Sequence, residues 1–309
     1  MNNKSFADKT KDSTTAGWIN GFLGVAFFSG SMPATKAAVT YLPPVLLTMT
    51  RAGIAGILAL CALLIFSKKW PKKNQMPSLL IVTLGAVLGF PLLSSWALEY
   101  ITSARSLVFL GILPLTTAIF GVIRGGERPN LIFWLFAVLG TLIVIGYAIE
   151  QGGSGPLTGD IIMLSAVVVC GLGYAEGAKL SRELGGWQVI SWALVISLPI
   201  SIPSIYCLLP DTLSTVPTSA WIGVGYIALF SQFVGFVFWY RGLAQGGIAT
   251  VGQLQLLQPF LGLTIAAIVL HEHVSPGMIG IMIGVITCVA ASKKLAIRKP
   301  LPAEANKAP

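Results

Sequence analysis

One acidic side chain lies inside an apolar stretch of this sequence, where an ionised group is costly. Glu176 stands sixteen residues after Asp160 in a run of mainly apolar residues. Acids at membrane depth commonly mark ion or proton pathways, and burial favours the protonated carboxyl, so Glu176 is a candidate for proton coupling. Lys179 lies three residues later on the same helical face. The alternative is therefore an ion pair between Glu176 and Lys179 at the membrane surface.

Three further charges lie within or at the ends of apolar stretches. Lys36 and Arg51 fall inside the first two stretches, and Glu99 ends the third on the same side. Opposite charges at one depth would satisfy one another, and these residues could form an external gate or a carboxylate-binding site. We favour a structural role for them, because unpaired charges at this depth would destabilise the fold.

Neutral polar and aromatic side chains on helical faces rich in small residues could line a cavity. Amide side chains both donate and accept hydrogen bonds, which suits a zwitterion or an uncharged polar group. Aromatic rings could stack on a ring or shelter a cation, although they also serve in packed cores and in membrane-interface belts. The candidates are Ser31, Trp96, Tyr100, Tyr174, Gln232, Trp239, Gln255 and Gln258.

An internal repeat relates the two halves of the chain. Pro114 and Glu127 recur 145 positions later, without a gap, as Pro259 and Glu272. We expect both glutamates to have a structural role, accepting hydrogen bonds from backbone donors at loops or helix ends. Pro33 interrupts another apolar run. All three prolines are candidate hinges, because each frees a backbone carbonyl and allows a kink.

The composition indicates an integral membrane protein. The chain has 309 residues, of which 55% are hydrophobic and only 10% charged, and its mean hydropathy is +0.82. A helix needs about 20 apolar residues to cross a bilayer. Ten such blocks can be drawn, at residues 17–40, 44–66, 78–100, 103–123, 131–149, 160–180, 187–209, 219–241, 248–270 and 277–292.

The distribution of basic residues predicts the orientation of these blocks. With the N-terminus in the cytoplasm, 17 of the 20 lysines and arginines fall on the cytoplasmic side, so we expect both termini there. Each repeat has five spans, an odd number, which makes the repeats inverted. The predicted divisions are an N-terminal tail (1–16), a first repeat (17–150), a linker (151–158), a second repeat (159–292) and a C-terminal tail (293–309).

Several short motifs complete the pattern. They are Gly30-Ser-Met-Pro33-x-x-Lys36, Pro43-Pro44 with Arg51, Gly159-Asp160, Trp239-Tyr240-x-Gly-Leu243 and the two proline-to-glutamate units. As a set, over residues 17–292, they resemble the EamA-type permeases of the drug/metabolite transporter superfamily. The resemblance implies a ten-helix fold in which spans 1, 3, 4, 6, 8 and 9 surround a central cavity. It also implies that spans 5 and 10 lie outside the cavity, where they could form a homodimer.

The residues and the resemblance together predict a secondary active transporter in the cell inner membrane. It would export a small metabolite or amphipathic compound, amino-acid-like or drug-like, by alternating access in exchange for protons. The alternative is an uncoupled facilitator or a metabolite exchanger of the same fold.

The sequence does not indicate an enzyme, a cofactor or a nucleic-acid partner. It has no Walker loop, no His-Glu-x-x-His and no Gly-x-Ser-x-Gly motif. The basic residues lie in short loops beside apolar blocks, where they set orientation. His271 and His273 are spaced i, i+2 without a further ligand nearby, so we expect surface histidines rather than a metal site.

Overall fold

The fold is all-helical in the part of the chain that the computed structural model describes, which is residues 3–68, 70–101, 106, 109–151, 157–210, 215–262 and 276–295. The first half contains α1 (Asn3–Ser29), α2 (Ser31–Val39), α3 (Pro44–Ile65), α4 (Lys73–Tyr100), α5 (Leu113–Gly125) and α6 (Leu131–Gln151). The second half contains α7 (Leu157–Leu184), α8 (Gly186–Leu208), α9 (Thr218–Gly246), α10 (residues 248–262) and α11 (Pro276–Leu295).

Five of these helices, α3, α4, α7, α8 and α9, are long and apolar enough to cross a bilayer. The protein is therefore a multi-pass membrane protein. Helix boundaries follow the local chemistry of the sequence. Helix α3 begins at Pro44, a first-turn position at which the missing N–H costs no helical hydrogen bond. Helix α5 ends at Gly125 and is followed by the capping residue Gly126, whose φ of +67° lies in the left-handed region that favours glycine.

The structure differs from the predicted first span, residues 17–40, in two respects. Helix α1 begins at Asn3, so most of the predicted N-terminal tail is helical. The span is also divided at Gly30, where α1 ends and α2 begins.

Two wide helical turns occupy equivalent positions in the halves. Helix α4 has π geometry over Thr83–Gly89, and α9 has it over Ile227–Val234. These segments end at residues 145 positions apart, the offset that relates the sequence repeats. π-Turns are rare inside helices and occur frequently at functional sites.

The two halves interleave rather than lying side by side. Helix α1 packs on α9, and α4 packs on α7, so helices of each half contact helices of the other. Helix α3 packs on α8, and α6 packs on α11. Large apolar side chains such as Ile65, Leu142 and Ile222 are exposed, as expected for a surface in contact with lipid.

Candidate functional site

A central cavity lies where the two halves meet. Helices α1 to α4 and the start of α5 line it from the first half, and α7, α9 and α10 line it from the second. The wall combines polar groups with aromatic rings. The polar side chains are Ser31, Thr35, Arg51, Ser94, Ser231, Gln232 and Gln258, and the aromatic ones are Phe28, Phe90, Tyr174 and Phe236.

A buried guanidinium forms part of this wall. Arg51, on α3, is only 5% exposed. Its Nη2 donates to Ser231 Oγ on α9 at 3.4 Å, and Ser31 Oγ on α2 donates to the same oxygen at 2.7 Å. The Nε of Arg51 has no hydrogen-bond partner among the described residues. The contact therefore leaves a positive charge at the cavity only partly satisfied.

A second polar contact joins the two π-turns directly. Pro91 has no N–H, so it cannot make the helical hydrogen bond to the carbonyl of Val87 four residues earlier. Gln232 Nε2 donates to that carbonyl at 2.9 Å. Gln232 is fully buried, and its Oε1 has no described partner. Its nitrogen thus stabilises α4, while its oxygen remains available as an acceptor.

Four stacked or edge-on aromatic rings lie beside the cavity. Phe28 and Phe236 have ring centroids 5.0 Å apart, and Tyr174 lies 5.7 Å from Phe236 and 5.5 Å from Trp239. On α7 and α9, Tyr174, Phe236 and Trp239 precede the C-terminal ends of these helices, which carry Lys179, Arg182 and Arg241 and form the cationic end of the protein. All four are nearly or fully buried, so they close the cavity on that side.

Glu176 lies at the cationic end, within a network that joins three helices. Its carboxylate accepts hydrogen bonds from Arg124 Nε on α5 at 2.6 Å and from Ser78 Oγ on α4 at 2.5 Å. Lys179 Nζ is 3.8 Å away. Glu176 is fully buried, whereas Arg124 is 40% exposed. The charge of this acid is therefore compensated by two cations.

Glu127 binds the first turn of α10 at the same end of the protein. Its two carboxylate oxygens accept the backbone N–H groups of Ile248 at 2.6 Å and Ala249 at 2.7 Å. Arg182 Nη2 donates to it at 3.0 Å. N–H groups in the first turn of a helix have no intrahelical acceptor, and a carboxylate there is also favoured by the helix dipole.

Comparison with known proteins identifies this architecture. The model of the EamA-like transporter family matches residues 15–149 and again residues 157–292. The chain belongs to the EamA-like transporter family. It is thereby a member of the drug/metabolite transporter superfamily, and each half of the chain matches the family model once.

The relatives of this EamA-family chain are also transporters by name. It is 56% identical to the "Uncharacterized transporter YdeK" of Bacillus subtilis (strain 168), over 92% of this chain and 99% of that protein. It is 21% identical to the "Probable terminal-alkyne amino-acid exporter" of Streptantibioticus cattleyicolor, over 85% of this chain and 89% of the relative. A solved crystal structure matches the fold with a TM-score of 0.76 at 18% identity, covering 91% of this chain and 99% of its own.

The cavity of this EamA-family protein contains four of the eight residues proposed from sequence, namely Ser31, Tyr174, Gln232 and Gln258. Trp239 and Gln255 are buried next to it but do not line it.

Trp96 and Tyr100 are 46% and 43% exposed and lie away from the cavity wall. The π-turn of α4 explains the difference. The sequence groups Trp96 with the small residue Gly85 on one face of a uniform helix, but the wide turn between them rotates the rest of the helix. Phe90, Pro91 and Ser94 face the cavity instead.

The three charges expected to meet at one depth are separated. Lys36 Nζ donates to the carbonyl of Leu98 at 2.6 Å, near the C-terminal end of α4. Glu99 is exposed, and Arg51 is buried at the cavity. No ion pair joins any two of these three described residues.

The three prolines proposed as hinges all coincide with breaks in helical geometry. Four residues before Pro33, α1 ends at Ser29. Residues 111–112 form a turn before α5, in which Pro114 occupies the first turn. Before Pro259, α10 tightens to a 3-10 turn over Gln253–Leu257. The missing N–H and the ring of proline account for each break.

Some predicted residues lie outside the described part of the chain, and some contributing residues were not predicted. Glu272, His271 and His273 are outside the described residues. Ser231 and Arg124 were not singled out from sequence as partners. Ser231 is adjacent to Gln232, which was a usable signal. Arg124 is 52 positions from Glu176, and no local pattern connects them.

Proposed function

We propose that this EamA-family protein is a secondary transporter that exports a small metabolite or amphipathic compound across the cell inner membrane. Substrate would bind in the central cavity and reach each side by alternating access. The proposal includes ten spans in two inverted five-helix repeats with both termini cytoplasmic. It also includes the possible homodimer through α6 and α11.

The single observation that carries the proposal is the position of the cavity. Its lining comes from both repeats, and its two π-turns are equivalent in the repeats. In the proposed ten-span arrangement, α1 and α7 are the first spans of the two halves, and α4 and α9 are the third spans. Each first span packs on the third span of the other half, which supports inverted repeats. The name of the Streptantibioticus relative, an amino-acid exporter, supports a small polar substrate.

Proton exchange is the first form of coupling that we propose, with Glu176 as the coupling residue. An uncoupled facilitator or exchanger is the second candidate. The contacts of Glu176 favour the second, because Arg124 and Lys179 already compensate its charge and Ser78 occupies one of its oxygens. A carboxylate held in this way stabilises the packing of α4, α5 and α7.

Flux of amino acids and of amphipathic cations in proteoliposomes, with an imposed pH gradient and an internal pH dye, tests both forms of coupling. Wild type would be compared with Glu176→Gln, and Glu99→Gln would be the matched control because Glu99 is exposed. The Arg124→Gln/Glu176→Gln double variant removes both charges and guards against misfolding of the single variant. Substrate-dependent proton movement that is lost in Glu176→Gln supports antiport. Equal substrate flux in all variants without proton movement supports the facilitator, and absence of flux for every compound contradicts transport.

A further inference from the structure

Arg51 is a charged group whose burial the described structure does not compensate. Its side chain is 95% removed from solvent, and its Nε has no described partner. None of the ion pairs among the described residues includes it. A buried cation without a counter-charge is strongly destabilising, and charged groups inside membrane segments commonly mark substrate pathways.

The neighbours of Arg51 add a second donor to the same place. Ser231 Oγ accepts hydrogen bonds from both Arg51 and Ser31. Its own proton is therefore left to donate. Arg51 and Ser231 both line the cavity, so two kinds of donor are available to a bound molecule. A carboxylate, with two oxygens that only accept hydrogen bonds, is the complementary group.

We propose that Arg51 and Ser231 form an anion subsite that binds the carboxylate of the transported compound. The proposal rests on the export function proposed above and narrows its substrates to small organic carboxylates, which excludes purely cationic amphipathic compounds.

Gln232 supplies a complementary acceptor in the same cavity. Its Nε2 is engaged by Val87, which fixes the orientation of the amide, and the remaining Oε1 is buried without a described partner. This oxygen suits a donor such as an ammonium or hydroxyl group. The rings of Phe28, Tyr174 and Phe236 line the cavity beside it and suit an apolar portion.

Other charges of the described protein do not neutralise Arg51. Glu99 is exposed, and Glu176 and Glu127 are bound to other cations at the opposite end. The carboxylate of a substrate bound at the anion subsite thus supplies the negative charge that these residues do not supply to Arg51.

Binding to the purified protein in detergent, measured by ligand-dependent shifts in thermal unfolding, tests the subsite. The probes are two matched sets, in which charged groups are removed one at a time. One set is L-leucine, L-leucinamide, 4-methylpentanoate and 3-methylbutan-1-amine. The other is L-phenylalanine, L-phenylalaninamide, 3-phenylpropanoate and 2-phenylethylamine. Tetraphenylphosphonium serves as the amphipathic cation.

We expect at least one carboxylate to bind. The matched amide, which lacks the carboxylate charge, should bind roughly 10- to 100-fold more weakly, which corresponds to the loss of one charged hydrogen bond. Arg51→Gln should abolish this preference, and Arg51→Lys should retain part of it. Arg128→Gln, an exposed cation remote from the cavity, should behave like wild type.

Three results would overturn the subsite: equal binding of acid and amide to wild type, an unchanged acid preference in Arg51→Gln, or no binding by any carboxylate. The acid-to-amide comparison in wild type stands even where Arg51→Gln does not fold. Flux measurements on the same compounds separate the two proposals. Flux that persists without acid preference leaves transport intact and removes the subsite, whereas binding without any flux contradicts transport.

Discussion

Replacing Gln232 by methionine should destabilise the fold, because the backbone carbonyl of Val87 would lose its hydrogen-bond donor. The carbonyl lacks its helical donor because residue 91 is proline, and Gln232 replaces that donor from across the interface between the repeats. Methionine is also unbranched and fills much of the same space, so the substitution removes the amide while largely retaining the packing.

The magnitude follows from the environment of the bond. Interhelical hydrogen bonds in membrane proteins average about 0.6 kcal/mol and reach about 1.7 kcal/mol. Leaving a buried carbonyl unsatisfied costs roughly 1–3 kcal/mol. We therefore expect Gln232→Met to lower the free energy of unfolding by about 1–1.5 kcal/mol. The Pro91→Ala background should reduce this cost by about 1 kcal/mol, because the new N–H can donate to Val87.

A double-mutant cycle isolates this effect. The free energy of unfolding would be measured in mixed micelles for wild type, Gln232→Met, Pro91→Ala and the double variant. Any gain from removing the unpaired Oε1 of Gln232 cancels in the cycle. Gln258→Met is the matched control, since its amide donates to the carbonyl of Phe28 instead and should be additive with Pro91→Ala. Additivity of the main pair within about 0.3 kcal/mol would refute the reasoning.

Two further variants, each with its own control variant, test packing and capping by the same unfolding measurement. A methyl group at Gly242 would lie 2.5 Å from the backbone nitrogen of Gly21, so Gly242→Ala should destabilise α1–α9 packing by about 1–3 kcal/mol. Gly225→Ala, with no described atom from beyond the adjacent turns of its own helix within 4 Å of the new carbon, should change stability by less than about 1 kcal/mol, and equal effects would contradict this explanation. Glu127→Ala should cost about 1–2 kcal/mol through loss of the α10 cap. Arg182→Ala should cost below about 1 kcal/mol because that pair is exposed, and the reverse order would contradict the assignment.

Much of the architecture could be predicted because it is recorded in local patterns. The apolar blocks indicate helices, and the 145-residue offset of Pro114 and Pro259 indicates the repeat that the family match covers. The breaks near these prolines follow from the chemistry of a single residue. Predictions of this kind need no information about tertiary contacts.

The faces of the helices were less predictable. Trp96 was assigned to the cavity by assuming uniform helical rotation, and the π-turn of α4 invalidates that assumption. Such a turn has no reliable signature in one sequence. The partners of Glu176 and Arg51 are similarly hidden, because Arg124 and Ser231 are 52 and 180 positions away from them. Only the packing of the helices brings these pairs together.

The hydrogen bond between Gln232 and Val87 makes the two halves of the chain unequal. These residues are 145 positions apart, the same offset that relates Pro114 to Pro259. A pair of identical inverted copies would balance two arrangements related by a two-fold axis equally, whereas this bond runs in one direction without a reciprocal bond from Val87. If the halves exchange conformations during transport, the arrangement that contains it gains about 1 kcal/mol, a roughly fivefold bias in population. In that case, a difference at one pair of equivalent positions would be enough to make one of the two arrangements the more populated.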